Sequence, residues 1–183
     1  MDQAQQQTMT PDDFLTWERQ QDSKWEFDGV RPVGMTGGSG IHSAILGNLL
    51  TALNNRLRGR PCRPHGPDLK VMIGTKFRYP DALVTCTPFD VELDIAPDPR
   101  VLFEILSKST ERTDRFSKLL EYRSIPSLAR YVLLEQETPM ATVYARAGTL
   151  WTIVQLLPGE TLEMPEIGIE IPVDELYADV VLP

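Results

Sequence analysis

The sequence predicts an α/β (α+β) fold in which a mixed central β-sheet is flanked by helices, with extra strands at the C-terminus. In two segments apolar residues recur at every third or fourth position, which is typical of amphipathic helices. Short apolar and β-branched runs between prolines and glycines indicate strands. Helices and strands alternate along the chain, and this order favours one layered domain.

The N-terminal third is expected to contain two helices and a hairpin. Thr10 is a favourable N-cap and Pro11 suits the first helical position, so a short helix is predicted over residues 11–21. An Asp-Gly pair between two strand-like pieces predicts a hairpin over residues 24–30. After a glycine-rich segment, the apolar periodicity predicts the longest helix over residues 41–57.

The rest of the chain is expected to be rich in strands. They are predicted at residues 69–73, 82–86, 101–106, 131–134, 141–146, 150–157 and 167–171. A helix over residues 111–124 should interrupt them, because the following Ile-Pro step ends a helix. A short helical turn over residues 173–177 is expected to follow the last strand.

The composition fits one globular domain. The 183 residues are 42% hydrophobic and 24% charged, which excludes a disordered or low-complexity chain. We expect a single domain over residues 1–183, with residues 1–9 as a disordered tail and residues 10–177 folded. No apolar stretch approaches the roughly 20 residues of a membrane span. No membrane association and a cytoplasmic location are therefore expected.

The charges and cysteines limit the function classes. A formal net charge of −8 argues against a general nucleic-acid coat or a membrane-surface binder, but not against a nuclease that holds a metal with carboxylates. Cys62 and Cys86 are too few for a disulfide framework, and we expect them to be buried free thiols. Cys62 and His65 have the spacing of metal ligands, but no second close pair completes a zinc site.

One carboxylate interrupts a strand that otherwise looks interior. Glu104 lies within the apolar run of residues 101–106, and burial of an unpaired carboxylate costs several kcal/mol. Asp81 stands at the entrance of the strand expected to be its neighbour. Two carboxylates converging from adjacent strands suit Mg²⁺ or Mn²⁺, which prefer oxygen ligands. The alternative is that Glu104 pairs with an arginine.

The helix predicted after Glu104 has two different faces. The polar face carries Asp114, Lys118 and Tyr122, spaced four residues apart. The other face carries Phe116, Leu119, Leu120 and Arg123. The polar stripe is either a solvated surface with one Asp-Lys pair or a surface directed at the metal, where Lys118 would supply positive charge.

Taken in order, these motifs resemble the Uma-type restriction endonucleases, a branch of the PD-(D/E)XK nuclease superfamily. The resemblance extends from about Thr10 to Tyr177. It rests on Trp25-Glu26-Phe27-Asp28-Gly29, His42, Gly47-Asn48-Leu49, Asp68-Leu69-Lys70-Val71, Tyr79-Pro80-Asp81, Phe103-Glu104-Ile105-Leu106-Ser107, Ser109-Thr110, Asp114, Lys118, Tyr122 and Tyr131-Val132-Leu133.

The resemblance implies a restriction-endonuclease-like core and Mg²⁺-dependent hydrolysis of DNA phosphodiesters, with Mn²⁺ as the alternative ion. Asp81 and Glu104 match the metal-binding acids, and Glu26 matches a further acid of the metal site. Lys118 matches a catalytic lysine that has moved to the helix, and Tyr122 would hold it in place.

The chain departs from the superfamily pattern at the catalytic lysine. Leu106 stands where the strand lysine is normally found, so catalysis would depend on Lys118, or else on Lys108 or Lys70. This departure leaves open a nuclease fold that is catalytically weak or inactive and binds nucleic acid or a protein. A third class is a sugar- or nucleotide-binding enzyme that uses the glycine-rich segment before Ile41.

A basic rim would hold the DNA. The densest candidates are Arg56, Arg58, Arg60 and Arg63, together with Lys70. The alternative for the arginines is a solvated helix end, where cations interact favourably with the helix dipole. A homodimer is expected by analogy, since two breaks in a duplex need two sites.

Overall fold

The computed structural model describes residues 9–35, 37–88, 90, 92, 94–106 and 113–183, with only the backbone of residues 113–115. The helices described are α1 (Pro11–Glu18), α2 (Gly40–Leu57), α3 (Leu119–Arg123) and α4 (Val173–Leu176), and a π-helical turn (Thr113–Lys118) leads directly into α3. The strands are β1 (Trp25–Phe27), β2 (Pro32–Gly34), β3 (Arg63–His65), β4 (Val71–Ile73), β5 (Lys76–Arg78), β6 (Ala82–Thr85), β7 (Pro99–Ile105), β8 (Arg130–Leu134), β9 (Ala141–Ala147), β10 (Leu150–Leu156), β11 (Thr161–Met164) and β12 (Ile169–Pro172).

The largest sheet has six strands in the order β10-β9-β8-β7-β6-β3. It is mixed, because β7 and β8 are parallel whereas the other neighbouring strands are antiparallel. The predicted mixed sheet flanked by helices is confirmed, as are the extra strands after β8.

A second sheet has four strands in the order β2-β1-β5-β4, and β11 and β12 form a separate hairpin. The predicted hairpin corresponds to β1 and β2, which pair through Glu26 and Val33. On this sheet Phe14 of α1 stacks between Phe27 and Phe77, at centroid distances of 4.9 and 5.5 Å. The sequence did not predict β3, β5 and β11, which have three or four residues each.

The two faces of the six-stranded sheet pack against different partners. Alternate side chains of a strand point to opposite faces. Val101 and Phe103 of β7 belong to the core that packs against α2 and α4. Leu102, with Leu106 just after the strand, belongs to the core that contains Tyr122 of α3. Glu104 alternates in step with Leu102 and Leu106, so it points toward α3.

The prediction of free thiols is wrong, because Cys62 and Cys86 form a disulfide. Antiparallel pairing of Arg63 with Thr85 brings the two cysteines flanking this pair together at one end of the β3-β6 ladder. The sequence could not show this contact without β3. Disulfides persist mainly in oxidising compartments, so the pair does not support the predicted cytoplasmic location.

Some sequence predictions concern residues outside those described. They include residues 1–8 of the predicted tail, Lys108 and the side chain of Asp114. Met9, also assigned to that tail, packs against the phenylalanine cluster of Phe14. Among the residues that the structure describes, no helix combines the length and apolar character that a membrane crossing requires.

Candidate active site

Asp81 and Glu104 lie side by side at the end of the β6-β7 ladder. Ala82 pairs with Phe103 in this antiparallel ladder, so the next residues outward are Asp81 and Glu104. The backbone amide of Ile105 donates a hydrogen bond of 2.7 Å to Oδ2 of Asp81. The structure therefore brings together the two carboxylates predicted to meet.

Glu104 is held by two side chains from the segment that covers this face. Lys118 Nζ and the Tyr122 hydroxyl each donate a hydrogen bond of 2.9 Å to Glu104 Oε1. Glu104 is 3% exposed and Lys118 is 7% exposed. Burial, reinforced by the charge of Glu104, raises the pKa of Tyr122 well above its ordinary value, so this hydroxyl stays protonated and remains a donor.

Glu26 extends the same cluster from the second sheet. Its Oε1 lies 3.4 Å from Lys118 Nζ and accepts a hydrogen bond of 3.2 Å from the Tyr79 amide. Its Oε2 accepts a hydrogen bond of 3.0 Å from Arg78 Nη1. Lys118 therefore lies between two buried carboxylates, Glu26 and Glu104.

No sequence pattern indicated Arg78 or its second partner, Glu121. Arg78 donates to both carboxylate oxygens of Glu121 at 2.7 and 3.0 Å, and Lys76 Nζ donates to Glu121 at 2.7 Å. Burial alone would lower the pKa of Arg78, but its bonds to Glu121 and the charges of Glu26 and Glu121 raise that pKa above its ordinary value. No local pattern signals these contacts, because Arg78 and Glu121 belong to distant segments.

His42 is a second residue to which the sequence analysis gave no role. It lies in the first turn of α2, and its Nε2 is 3.0 Å from Oδ1 of Asp81. The side chains of His42 and Asp81 are 16% and 18% exposed, so this contact lies at the solvent edge of the cluster.

The donor set fits a hard divalent cation. Asp81 and Glu104 lie at the same end of the β6-β7 ladder and offer carboxylate oxygens, which are the ligands that Mg²⁺ and Mn²⁺ prefer. No group of three or more His, Cys, Asp or Glu side chains within the described residues has the geometry of a metal site. This does not conflict with Mg²⁺, which is usually bound by one or two carboxylates and completes its shell with water and phosphate oxygens.

The outward face of the helix after Glu104 is apolar. The hydrophobic side chains of Phe116 and Leu120 are 65% and 69% exposed, while Lys118 and Tyr122 are buried. The alternative in which Lys118 and Tyr122 lie on a solvated face is therefore wrong. A π-helical turn precedes α3, and such turns are frequent at functional sites.

The arginines predicted to form a basic rim lie away from this cluster. Arg56 follows His42 by fourteen residues on α2, or about 21 Å along the helix axis. Its guanidinium forms two hydrogen bonds to Glu175, at 2.7 and 2.6 Å, so its charge is neutralised within the chain. The other three arginines are exposed beyond the C-terminal end of α2: Arg58, Arg60 and Arg63.

Lys70 is not part of a basic rim. It is 1% exposed and pairs with Glu18 and Asp94. A buried and paired ammonium group cannot contact a nucleic-acid backbone, so the prediction that places Lys70 in the rim is wrong.

The structure is an α+β fold with two carboxylates, Asp81 and Glu104, at one end of the ladder between two neighbouring strands. Residues 11–174 match the Uma2 family, described as "Putative restriction endonuclease", and the chain belongs to this family. The uncharacterized protein slr1290 of Synechocystis sp. is 33% identical over 92% of this chain and 91% of its own length. The uncharacterized protein sll1609 of the same organism is 26% identical over 85% of this chain and 91% of its own.

A solved structure shares the fold. It is described as a putative nuclease belonging to DUF820 from Anabaena variabilis, and the two chains superpose with a TM-score of 0.75 at 19% identity. The match covers 94% of this chain and 99% of the other.

Proposed function

We propose that the protein is a Mg²⁺-dependent endodeoxyribonuclease that hydrolyses DNA phosphodiester bonds. The observation that carries the proposal is the meeting of Asp81 and Glu104 at the end of one ladder, with Lys118 bonded to Glu104. Membership of the restriction endonuclease family supports the same reaction.

Asp81 and Glu104 would hold the divalent ion. When bound, such an ion polarises the scissile phosphate and lowers the pKa of a water molecule. The ion pairs of Glu26 with Arg78 and Lys118 favour an indirect contribution of Glu26 to the metal shell, through water, over direct ligation.

Lys118 would act on the attacking water and on the phosphate. Its ammonium group is fixed by Glu26 and Glu104, so its charge is oriented before the substrate arrives. In the reaction, a bond forms between the water oxygen and phosphorus, one phosphorus-oxygen ester bond breaks, and the leaving oxygen gains a proton. Tyr122 would restrict Glu104, and through it Lys118, to one geometry.

The proposal includes two partners, DNA and a second copy of the chain. DNA would bind across the solvent edge of the cluster, where the side chains of His42 and Asp81 are partly exposed. A homodimer would place two such sites on one duplex and allow both strands to be cut.

The first experiment tests the metal site by thermal unfolding. Added Mg²⁺ or Mn²⁺ should raise the unfolding midpoint of the wild type, because the ion binds only the native state. Asp81→Asn should abolish this shift and DNA cleavage. Asp12→Asn is the matched control, because Asp12 also follows a proline but is exposed on α1. An Asp81→Asn variant that keeps both the shift and cleavage would contradict the proposal.

The second experiment is nicking of supercoiled plasmid. Lys118→Ala should reduce the rate by roughly 10²- to 10³-fold, the range typical of one lost electrostatic contact to the transition state. If the folded wild type binds DNA but does not nick it in Mg²⁺ or Mn²⁺, the alternative of an inactive nuclease fold that binds nucleic acid or a protein replaces this proposal.

A further inference from the structure

We propose that His42 is a positioning residue for Asp81 and that Gly38 is a glycine because the His42 ring occupies the space beside it. The inference rests on the proposed metal-dependent function, since it assigns a purpose to the orientation of the Asp81 carboxylate.

The two oxygens of Asp81 are each fixed by a different element. Oδ2 accepts from the Ile105 amide at the end of β7, and Oδ1 lies 3.0 Å from Nε2 of His42 on α2. An ionised carboxylate can accept about four hydrogen bonds or metal contacts. Both oxygens therefore keep acceptor capacity for a cation while the plane of the carboxylate is held.

The backbone that carries the His42 ring is itself anchored. Ser39 caps α2, and its hydroxyl oxygen accepts a hydrogen bond of 3.1 Å from the His42 amide. The same hydroxyl donates a hydrogen bond of 2.6 Å to Gln136, which follows β8. The N-terminus of α2 is thus hydrogen-bonded to the segment after β8, the strand that neighbours β7. This contact fixes the backbone from which the His42 imidazole reaches Asp81.

Gly38 is the glycine in this segment that the ring requires. A Cβ atom at Gly38 would lie 2.8 Å from Nδ1 and 2.9 Å from Cγ of His42, closer than real Cβ contacts. At Gly37 and Gly40 a Cβ atom would meet nothing within 4 Å. The contact therefore explains Gly38, which leaves room for an imidazole of the same chain, but not Gly37 or Gly40.

Partners that fix metal-binding carboxylates typically contribute 10- to 100-fold to metal affinity. The test is therefore Mn²⁺ affinity measured by titration calorimetry without DNA, which reports on the carboxylates independently of cleavage. His42→Ala should weaken Mn²⁺ binding by roughly 10- to 100-fold. His42→Gln should recover much of the loss, because its amide nitrogen can donate to Asp81 from a similar position.

The glycines provide a second, independent arm. Gly38→Ala should weaken Mn²⁺ binding in the same direction as His42→Ala, because the added methyl group displaces the ring. Gly37→Ala is the matched control and should bind Mn²⁺ like the wild type. Unfolding midpoints without metal show that each variant is folded before its affinity is compared.

The outcomes separate this inference from the proposed function. If the wild type binds Mn²⁺ and both His42→Ala and Gly38→Ala bind it equally well, the positioning role is wrong and the proposed function stands. If His42→Gln is no better than His42→Ala, hydrogen bonding to Asp81 is not what His42 contributes. If the wild type binds no Mn²⁺, both proposals fail together.

Discussion

The two helical segments that cover the two faces of the six-stranded sheet bury different kinds of side chain. On one face, α2 buries Ile45, Leu49 and Leu53 against the sheet, as an amphipathic helix should. On the other face, the π-helical turn and α3 bury Lys118 and Tyr122, while hydrophobic side chains of the same segment face solvent. The first arrangement is favoured by apolar burial, whereas the second combines an apolar core with buried hydrogen bonds and ion pairs.

The two faces therefore differ in how much their buried contacts contribute to stability. Apolar burial on the α2 face stabilises the fold by about 25 cal/mol per Å² removed from water. On the α3 face, two buried carboxylates, Glu26 and Glu104, hold one ammonium group. Buried ion pairs contribute little net stability, because desolvation offsets their attraction. This arrangement is therefore not explained by stability, and the proposed function gives it a purpose.

The largest expected effect comes from removal of the Arg78 charge on the α3 face. Arg78→Met should leave Glu26 and Glu121 without their arginine and lower the free energy of unfolding by about 3–5 kcal/mol. Urea unfolding at neutral pH measures this loss. Arg31→Met is the control, because Arg31 forms an exposed pair with Asp28 at 3.7 Å, worth less than about 1 kcal/mol. Equal losses for the two variants would show that the Arg78 cluster is not electrostatically coupled.

A cavity on the α2 face should be nearly as costly but without effect on metal binding. Leu53→Ala removes buried methyl groups and should lower the free energy of unfolding by about 2–5 kcal/mol. The exposed residue Leu120 supplies the matched control, and Leu120→Ala should change stability by no more than about 0.5 kcal/mol. Urea unfolding and Mn²⁺ titration of both variants test this. A large loss of Mn²⁺ affinity in Leu53→Ala would show that the two faces are not independent.

The disulfide should stabilise the fold from the face of the sheet that packs against α2. Cys62 and Cys86 pack against the core that contains α2, and their bond closes a loop with a sequence separation of 24. By the chain-entropy relation, replacement of both cysteines by serine should cost about 3.5 kcal/mol. Unfolding of the oxidised wild type and the double variant measures this cost. Identical stabilities would mean that the bond does not constrain the unfolded chain.

The smallest expected effect is a change in how stability depends on pH, caused by Glu121 on the α3 face. Burial would raise the pKa of Glu121, but hydrogen bonds from Arg78 and Lys76 lower it below its ordinary value. The stability that Glu121 contributes is therefore present above the ordinary glutamate pKa of about 4.3 and is lost as the pH falls through the lower folded-state pKa. Glu121→Gln should make the unfolding midpoint less sensitive to pH between about 5 and 3. An unchanged slope would contradict this assignment.

Much of the fold could be predicted because hydrophobic periodicity is a local signal. The helix predicted at residues 41–57 corresponds to α2, and the strand predicted at residues 101–106 corresponds to β7. The meeting of Asp81 with Glu104 followed from treating their strands as neighbours, which the β6-β7 ladder confirms. Glu104 was recognised because a charge inside an apolar strand needs a partner.

The remaining features depend on contacts between distant segments. Arg78 meets Glu121 across 43 positions, and His42 meets Asp81 across 39. Nothing in the sequence next to these residues specifies such pairs. The same limit explains the missed disulfide, which requires the three-residue strand β3 to be known. Local patterns therefore singled out Asp81, Glu104 and Lys118, and the resemblance added Glu26, but neither predicted the contacts of Arg78 and His42.

The parallel pairing of β7 and β8 determines how Lys118 reaches Glu104. Two parallel neighbours cannot be joined by a tight turn, so the chain must cross over the sheet between them. The described part of this crossover lies on the face that carries Glu104, and its Lys118 donates a hydrogen bond to Glu104. Leu106, two residues after Glu104, instead packs into the hydrophobic core of the same face. An ammonium group can therefore come to lie beside Glu104 without occupying a position on the strand that carries this carboxylate.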